Sequence, residues 1–185
     1  MARWRWLEQV TDQDQVMRLN TLEKVPLFAG LSGRQLGKLL VKFFEKEYGP
    51  GEIIFNEGEP GKALFVILAG SVSICRALHE GEELLAKLSA GGYFGELALI
   101  DDQPRFASAH ATEASRLLIL SRSDFEDLME GQRALAIQVM GNLLKTLAGY
   151  VRRAQSHRNG RNSTIAGQTT ASDKPETSSK SVSRD

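Results

Sequence analysis

A mainly β fold with helices at both ends is what this chain predicts. Two observations carry the expectation. Between Glu45 and Leu120 short apolar segments are separated by glycines, and on either side of that region apolar residues recur at helical spacing instead. In the N-terminal part Val16, Leu19 and Leu22 share one helix face, and Pro26 closes that segment. Ser32-Gly33-Arg34-Gln35 is a capping box: the Ser32 hydroxyl accepts from the Gln35 N–H while the Gln35 side chain reaches back. It predicts a helix from about Gly33 to Phe44, with Leu36, Leu39, Leu40 and Phe43 on one side.

The period then changes. Ile53 to Phe55, Ala63 to Ala69, Ser71 to Leu78, Glu82 to Leu88, Ala107 to Ala111 and Ser115 to Leu120 are strand candidates. Gly49, Gly51, Gly58, Gly61, Gly70, Gly81, Gly91 and Gly92 stand between them. Val72 and Ile74 alternate with Ser71 and Ser73, as in a strand with one buried face, so the region reads as one antiparallel sandwich or barrel. Cys75, mid-strand, reads as a small core residue.

Helices return after the strands. Ser123-Asp124-Phe125-Glu126 is a second capping box and opens a short helix ending near Gly131. A long helix follows from about Gln132 to Arg153. Ile137, Met140, Leu144, Leu147 and Val151 step along it at 3-4-3-4 spacing, a short coiled-coil seam, while Val139, Leu143 and Tyr150 form a second apolar line. The seam predicts pairing with a second copy; the second line predicts packing on the chain's own β unit. From residue 155 to 185 the only large aliphatic residues are Ile165 and Val182, which predicts a disordered tail. The expected division is therefore 1–44 helical, 45–122 β, 123–154 helical and 155–185 tail.

Composition narrows the function. The 185 residues carry 23 basic and 23 acidic side chains, so no polyelectrolyte signature points to bulk nucleic-acid binding. A single cysteine excludes an internal disulfide, the longest continuous apolar run is too short to span a bilayer, and the N-terminus has no signal-peptide core. A cytoplasmic chain without a membrane span is expected. No His-x-His pair, nucleophile elbow or Walker-type loop is present, so neither metal catalysis nor another enzymatic activity is expected. Trp4 and Trp6, interleaved with Arg3 and Arg5, are expected to pack against the N-terminal helices.

One segment carries chemistry. Gly92-Tyr93-Phe94-Gly95-Glu96-Leu97-Ala98-Leu99-Ile100 interrupts the strand pattern, and Pro104-Arg105-Phe106-Ala107-Ser108 resumes it. Gly95 permits a tight turn, and Glu96 to Ile100 suffices for about one helical turn, whose first N–H groups favour an anion. Arg105, at the start of the next strand, can face the same cavity. A guanidinium offers paired donors to phosphate, while a carboxylate accepts from hydroxyls and repels phosphate. One acid and one arginine around a short turn therefore suit a ligand bearing both a sugar hydroxyl and a phosphate; a plain surface ion pair is the competing reading.

Two long stretches resemble the cyclic nucleotide-binding domain family, which includes protein kinase A regulatory subunits and the catabolite activator protein. Tyr48 to Gly61, continuing through Phe65 to Val72, is similar to that family's first strands and turns. Phe94 to Ile100 with Pro104-Arg105 and Ala107-Ser108 is similar to its phosphate-binding cassette. The resemblance implies an eight-stranded antiparallel β-roll (a jelly roll), N-terminal helices and a C-terminal helix that moves on a hinge as a lid. It implies that Glu96 accepts the ribose 2′-hydroxyl, that Arg105 pairs with the cyclic phosphate, and that backbone N–H groups near Gly95, Leu97, Ala98, Phe106 and Ala107 complete the cradle. Cassette residues such as Leu97 and Leu99 would repack against the hinge. Where the family mostly has Ala, Ser or Thr after the cassette arginine, this chain has Phe106. That side chain offers no hydroxyl to cyclic GMP, so cyclic AMP is the expected ligand ahead of cyclic GMP; it can instead crowd the pocket or stack on a base. No winged helix-turn-helix follows the long helix, so no direct DNA binding is expected, and the signal would pass to an unidentified effector protein or through a homodimer. The competing class is a degenerate roll acting as a dimerisation or docking unit without ligand.

Overall fold

The computed structural model describes residues 12–168. Ser32 caps α2 (Gly33–Leu40) through the expected box, its hydroxyl accepting from Gln35 N and Gln35 Oε1 accepting from Ser32 N. Before it come α1 (Asp12–Lys24) and a 3₁₀ turn, Pro26–Phe28, with Pro26 preset for the turn's first position. Eight strands follow: β1 (Phe44–Tyr48), β2 (Ile53–Phe55), β3 (Ala63–Ala69), β4 (Ser71–Ala77), β5 (Glu82–Ser89), β6 (Tyr93–Phe94), β7 (Ser108–Ala111) and β8 (Ser115–Ser121). A second 3₁₀ turn, Glu96–Leu99, lies between β6 and β7, and α3 (Arg122–Gly131) and α4 (Arg133–Gln168) close the described chain. The strands form two four-stranded antiparallel sheets, ordered β1-β8-β3-β6 and β2-β7-β4-β5. The eight-stranded antiparallel roll with flanking helices is the architecture observed.

Contacts divide the chain into two units at Leu143/Leu144. The first contains the roll and a helical layer, and its sequence shows why both are needed. β3 is apolar at every position because both its faces are covered. Leu64, Val66 and Leu68 join a core with Leu22, Leu27, Phe28 and Leu39 from the helical layer, whereas Phe65 and Ile67 point into the roll with Phe94 and Val72. β8 repeats the division, Leu118 and Leu120 towards the helices and Leu117 and Ile119 inwards. β4 faces the core on one side only and keeps its polar alternation. Each fully buried leucine contributes about 1.5–3 kcal/mol, so the helical layer is part of the folding unit rather than an appendage. The early part of α4 belongs to it: Leu135, Val139 and Leu143 are buried, and Asn142 Nδ2 donates to Leu27 O at 3.2 Å and Ala29 O at 2.8 Å. In this unit the seam residue Ile137 is 75% exposed. The second unit is described as one helical stretch from Leu144 to Gln168, in which the seam residues Leu144 and Val151 are exposed and Arg153 lies over the Tyr150 ring at 5.0 Å.

Several expectations are corrected. The helix opened by Ser32 ends at Leu40, not Phe44, because Phe44 is drawn into β1 opposite Ile119. The two-residue β6 escapes periodicity altogether. The cap of α3 is Ser121 rather than Ser123: Ser121 ends β8 in the extended conformation a cap requires (φ −69°, ψ 154°), and its hydroxyl accepts from Asp124 N at 3.1 Å. Cys75 is half-buried, since Ile74 takes the inward position and a register shift follows it. The helix expected to stop at Arg153 continues to Gln168; extending an existing helix adds one hydrogen bond per residue without a new nucleus. Residues 169–185 and the Trp4, Trp6, Arg3 and Arg5 cluster lie outside the described residues. Counting continuous apolar runs also overlooks that Arg133–Arg153 is long and apolar enough, by length and composition, to cross a membrane. Within it, however, Leu135, Val139 and Leu143 pack into the core described above.

Candidate functional site

The site starts from a glycine. Pairing of β6 with β3 places Phe94 opposite Phe65, and the chain must then reverse at once. Gly95 does so at φ +77°, in the left-handed region that a side chain disfavours, and caps the 3₁₀ turn Glu96–Leu99. The turn is short but well seated: Glu96, Ala98 and Leu99 are buried, and Leu97 is half-buried. Leu99 lies in the same core as Phe125 and Leu128 of α3.

Arg105 arrives from the opposite direction. An isolated Pro60–Pro104 bridge and the bonds Arg105 N to Glu59 O and Gly58 N to Arg105 O, both 2.8 Å, zip its backbone to the loop between β2 and β3. Its guanidinium donates through Nη2 to Ala63 O at 2.9 Å and through Nη1 to Gly95 O at 3.3 Å. It lies over the Phe55 ring at 4.1 Å and near Phe65 at 5.6 Å. Its Nε is buried and makes no hydrogen bond. Burial pushes the Arg105 pKa below the ordinary arginine value, and the negative charges of Glu96 and Glu59 oppose that shift. The side chain remains a cation at neutral pH.

A half-buried guanidinium with an unsatisfied donor invites an anionic acceptor. Glu96, 5% exposed, supplies a carboxylate near that cation, suited to hydroxyl groups. The structure thus brings Gly95, Glu96 and Arg105 together. Ala107 is buried in the roll, and the Ala98 N–H is engaged with Gly95 O at 3.2 Å. Phe106 is 63% exposed, so its ring does not fill the interior of the roll.

Sequence reasoning missed the aromatic wall of Phe55 and Phe65, the acceptor carbonyl of Ala63 and the close approach at Gly61. A Cβ on Gly61 would stand 3.0 Å from Ala98 Cβ. Nothing in the spacing points to these residues; only the Gly58–Gly61 turn hinted that two backbones meet there. Among the described residues no group of three His, Cys, Asp or Glu side chains is placed to hold a metal ion.

Gly95 supplies a direct test of this geometry. A Cβ there would stand 2.7 Å from Arg105 Nη1 and 3.0 Å from Ala63 O. Gly95→Ala is therefore expected to destabilise the fold by more than the roughly 1–2 kcal/mol of left-handed backbone strain, because the guanidinium must also move. Gly58→Ala, at φ +82° with nothing within 4 Å, is the control and is expected to show the backbone cost alone. Urea denaturation of both variants checks the difference; equal losses would refute the close approach.

Comparison with known proteins adds an independent observation. A family model described as "Cyclic nucleotide-binding domain" matches residues 45–132, which include the turn and Arg105. A cAMP-dependent protein kinase regulatory subunit from Mycosarcoma maydis is 35% identical over 130 residues, covering 64% of this chain and 25% of the subunit. A cyclic AMP receptor protein from Thermus thermophilus is 38% identical over 130 residues, covering 70% of this chain and 58% of that protein. The chain therefore spans less than two thirds of either relative. Among solved structures, the N-terminal domain of a transcriptional regulator from Streptomyces coelicolor A3(2) superposes with a TM-score of 0.66 at 30% identity, covering 70% of this chain and 93% of that one.

Proposed function

Because this chain belongs to the cyclic nucleotide-binding domain family, we propose that it is a non-catalytic sensing module whose Arg105 site takes a cyclic nucleotide, cyclic AMP ahead of cyclic GMP. The observation that carries the reading is the half-buried Arg105 guanidinium, its Nε without a partner, beside the buried Glu96 on the glycine-capped turn. A cyclic phosphate satisfies the guanidinium, and the ribose 2′-hydroxyl donates to the Glu96 carboxylate. Backbone N–H groups around Gly95 and Leu97, and of Phe106 and Ala107, line the remainder of the cradle. The exposed Phe106 ring is free to stack on the base and has no hydroxyl to offer guanine. The names of the Mycosarcoma and Thermus relatives, both referring to cyclic AMP, support the same ligand.

Signalling runs through packing. Phosphate capture draws the turn inward, Leu99 repacks against Phe125 and Leu128, and α3 passes the shift to the helix after it. Such a switch works only if ligand binds the two arrangements unequally. An unidentified effector protein, or a second copy pairing along the seam, would read the change.

The exposed seam favours a second reading, in which the roll serves dimerisation or docking without ligand: Ile137 is 75% exposed, Leu144 64% and Val151 56%. Isothermal titration calorimetry of nucleotide-stripped protein decides between the two. Micromolar or tighter binding of cyclic AMP, with cyclic GMP weaker, is the expected result. No heat from either nucleotide, with an unshifted melting temperature at excess ligand, would refute the sensor and leave the docking unit. In that event Phe106→Ala shows whether the one ring closes the site.

A further inference from the structure

The first residue of α3, Arg122, joins three segments through one side chain. Its side chain is 16% exposed. Nε donates to Ala98 O at 2.5 Å, Nη2 to Gly61 O at 2.9 Å and to Asp101 O, and Nη1 to the Asp102 carboxylate. Its own N–H donates to Lys62 O at 2.8 Å. Asp102 is 95% exposed, so that ion pair is screened by solvent and contributes little. The three carbonyls matter more. Ala98 and Asp101 belong to the end of the ligand-site turn, where a short helix leaves carbonyls without intrahelical donors, and Gly61 belongs to the loop packed against that turn. One planar guanidinium satisfies all three from the start of α3, a geometry its fixed fork of donors allows and a lysine cannot reproduce.

We infer that Arg122 is a positioning residue: it locks the Glu96–Leu99 turn and the Gly61 loop onto α3, so that the turn cannot shift without moving that helix. It touches no ligand. Leu99, packed with Phe125 and Leu128, is the apolar half of the same link. The inference rests on the proposed cyclic nucleotide site only for the ligand used as probe.

Amide hydrogen exchange tests both parts. In the unliganded chain the N–H groups of Ala98, Ile100 and Asp101 are bonded within the turn. Arg122→Gln is expected to speed their exchange about tenfold while leaving Val66 and Leu118, in paired strands, within about twofold of the wild type. Arg122→Lys, which keeps the charge and the stem, should fall between, and carries the comparison if the glutamine variant does not fold. Asp102→Asn should change nothing. With saturating cyclic AMP the turn should gain protection in the wild type and in Arg122→Gln alike, but Phe125 and Leu128 should gain clearly less in Arg122→Gln, where only the Leu99 contact remains. Unchanged turn amides in Arg122→Gln, a rise shared equally by the strands, or an undiminished α3 response would each overturn the inference. Failure of the wild type to bind cyclic AMP would instead overturn the site reading, and the unliganded comparison would still decide the role of Arg122.

Discussion

Replacing Arg105 by alanine is expected to weaken cyclic AMP binding by about a hundredfold or more, the largest functional effect of any single substitution here. Each hydrogen bond between charged groups contributes roughly 1.5–3 kcal/mol, and about 1.4 kcal/mol is a factor of ten in affinity. A bidentate guanidinium–phosphate contact therefore exceeds two orders of magnitude. The stability of the unliganded protein should change far less. Arg105 loses its bonds to Gly95 O and Ala63 O, but a cation held against desolvation, with one donor unsatisfied, is removed with them. Arg105→Lys should retain only part of the binding, because an ammonium is a single point of charge and cannot span two phosphate oxygens in the same plane. Calorimetry and thermal denaturation on one set of variants separate the two quantities. An alanine variant that binds within threefold of the wild type would show that Arg105 is a structural brace for Gly95 and Ala63, not a phosphate ligand.

Phe65→Ala is expected to cost about 3–5 kcal/mol of folding stability. Phe65 stacks on Phe94 with ring centroids 5.1 Å apart and planes within 7°, touches Phe55 at 5.5 Å and lies 5.6 Å from the Arg105 guanidinium. Its backbone is held in the middle of the first sheet between β6 and β8, so the roll cannot collapse to fill the space. Against a typical total of about 5–15 kcal/mol that is a large fraction, and a chain of this size should melt about 10 °C or more lower. Urea denaturation with an unchanged slope is the expected record. A loss under 1 kcal/mol would mean that the aromatic cluster is loosely packed. The same ring also walls the site, which makes Phe65 the point where core and ligand chemistry meet.

Most of the fold is legible in the sequence because its signals are local. The Ser32–Gln35 box, the glycines between strands and the change of hydrophobic period at Glu45 are each set by residues a few positions apart, and each element they announce is found. That both faces of β3 and of the Leu117–Leu120 stretch of β8 are covered emerges only from the packing of the helical layer on the roll. Where local signals conflict with pairing, pairing prevails: Phe44 leaves its helix for β8, and the cap of α3 moves to the residue at which β8 ends. β6 is too short to have a period at all.

The candidate site divides in the same way. Gly95, Glu96 and Arg105 stand out in the sequence through the resemblance of their stretch to a phosphate-binding cassette; by spacing alone an acid and an arginine read equally as a plain surface ion pair. That Arg105 would lie over Phe55, bond to Ala63 O and keep a buried Nε without a partner depends on residues some forty to fifty positions away. The grip of Arg122 on Gly61, Ala98 and Asp101 likewise joins segments that only the closed roll brings together. Local propensity and side-chain chemistry determined which elements form and which residue types can bind; long-range sheet pairing alone decided which backbone carbonyls and aromatic faces surround them, because contacts distant in the chain leave no periodic mark on it.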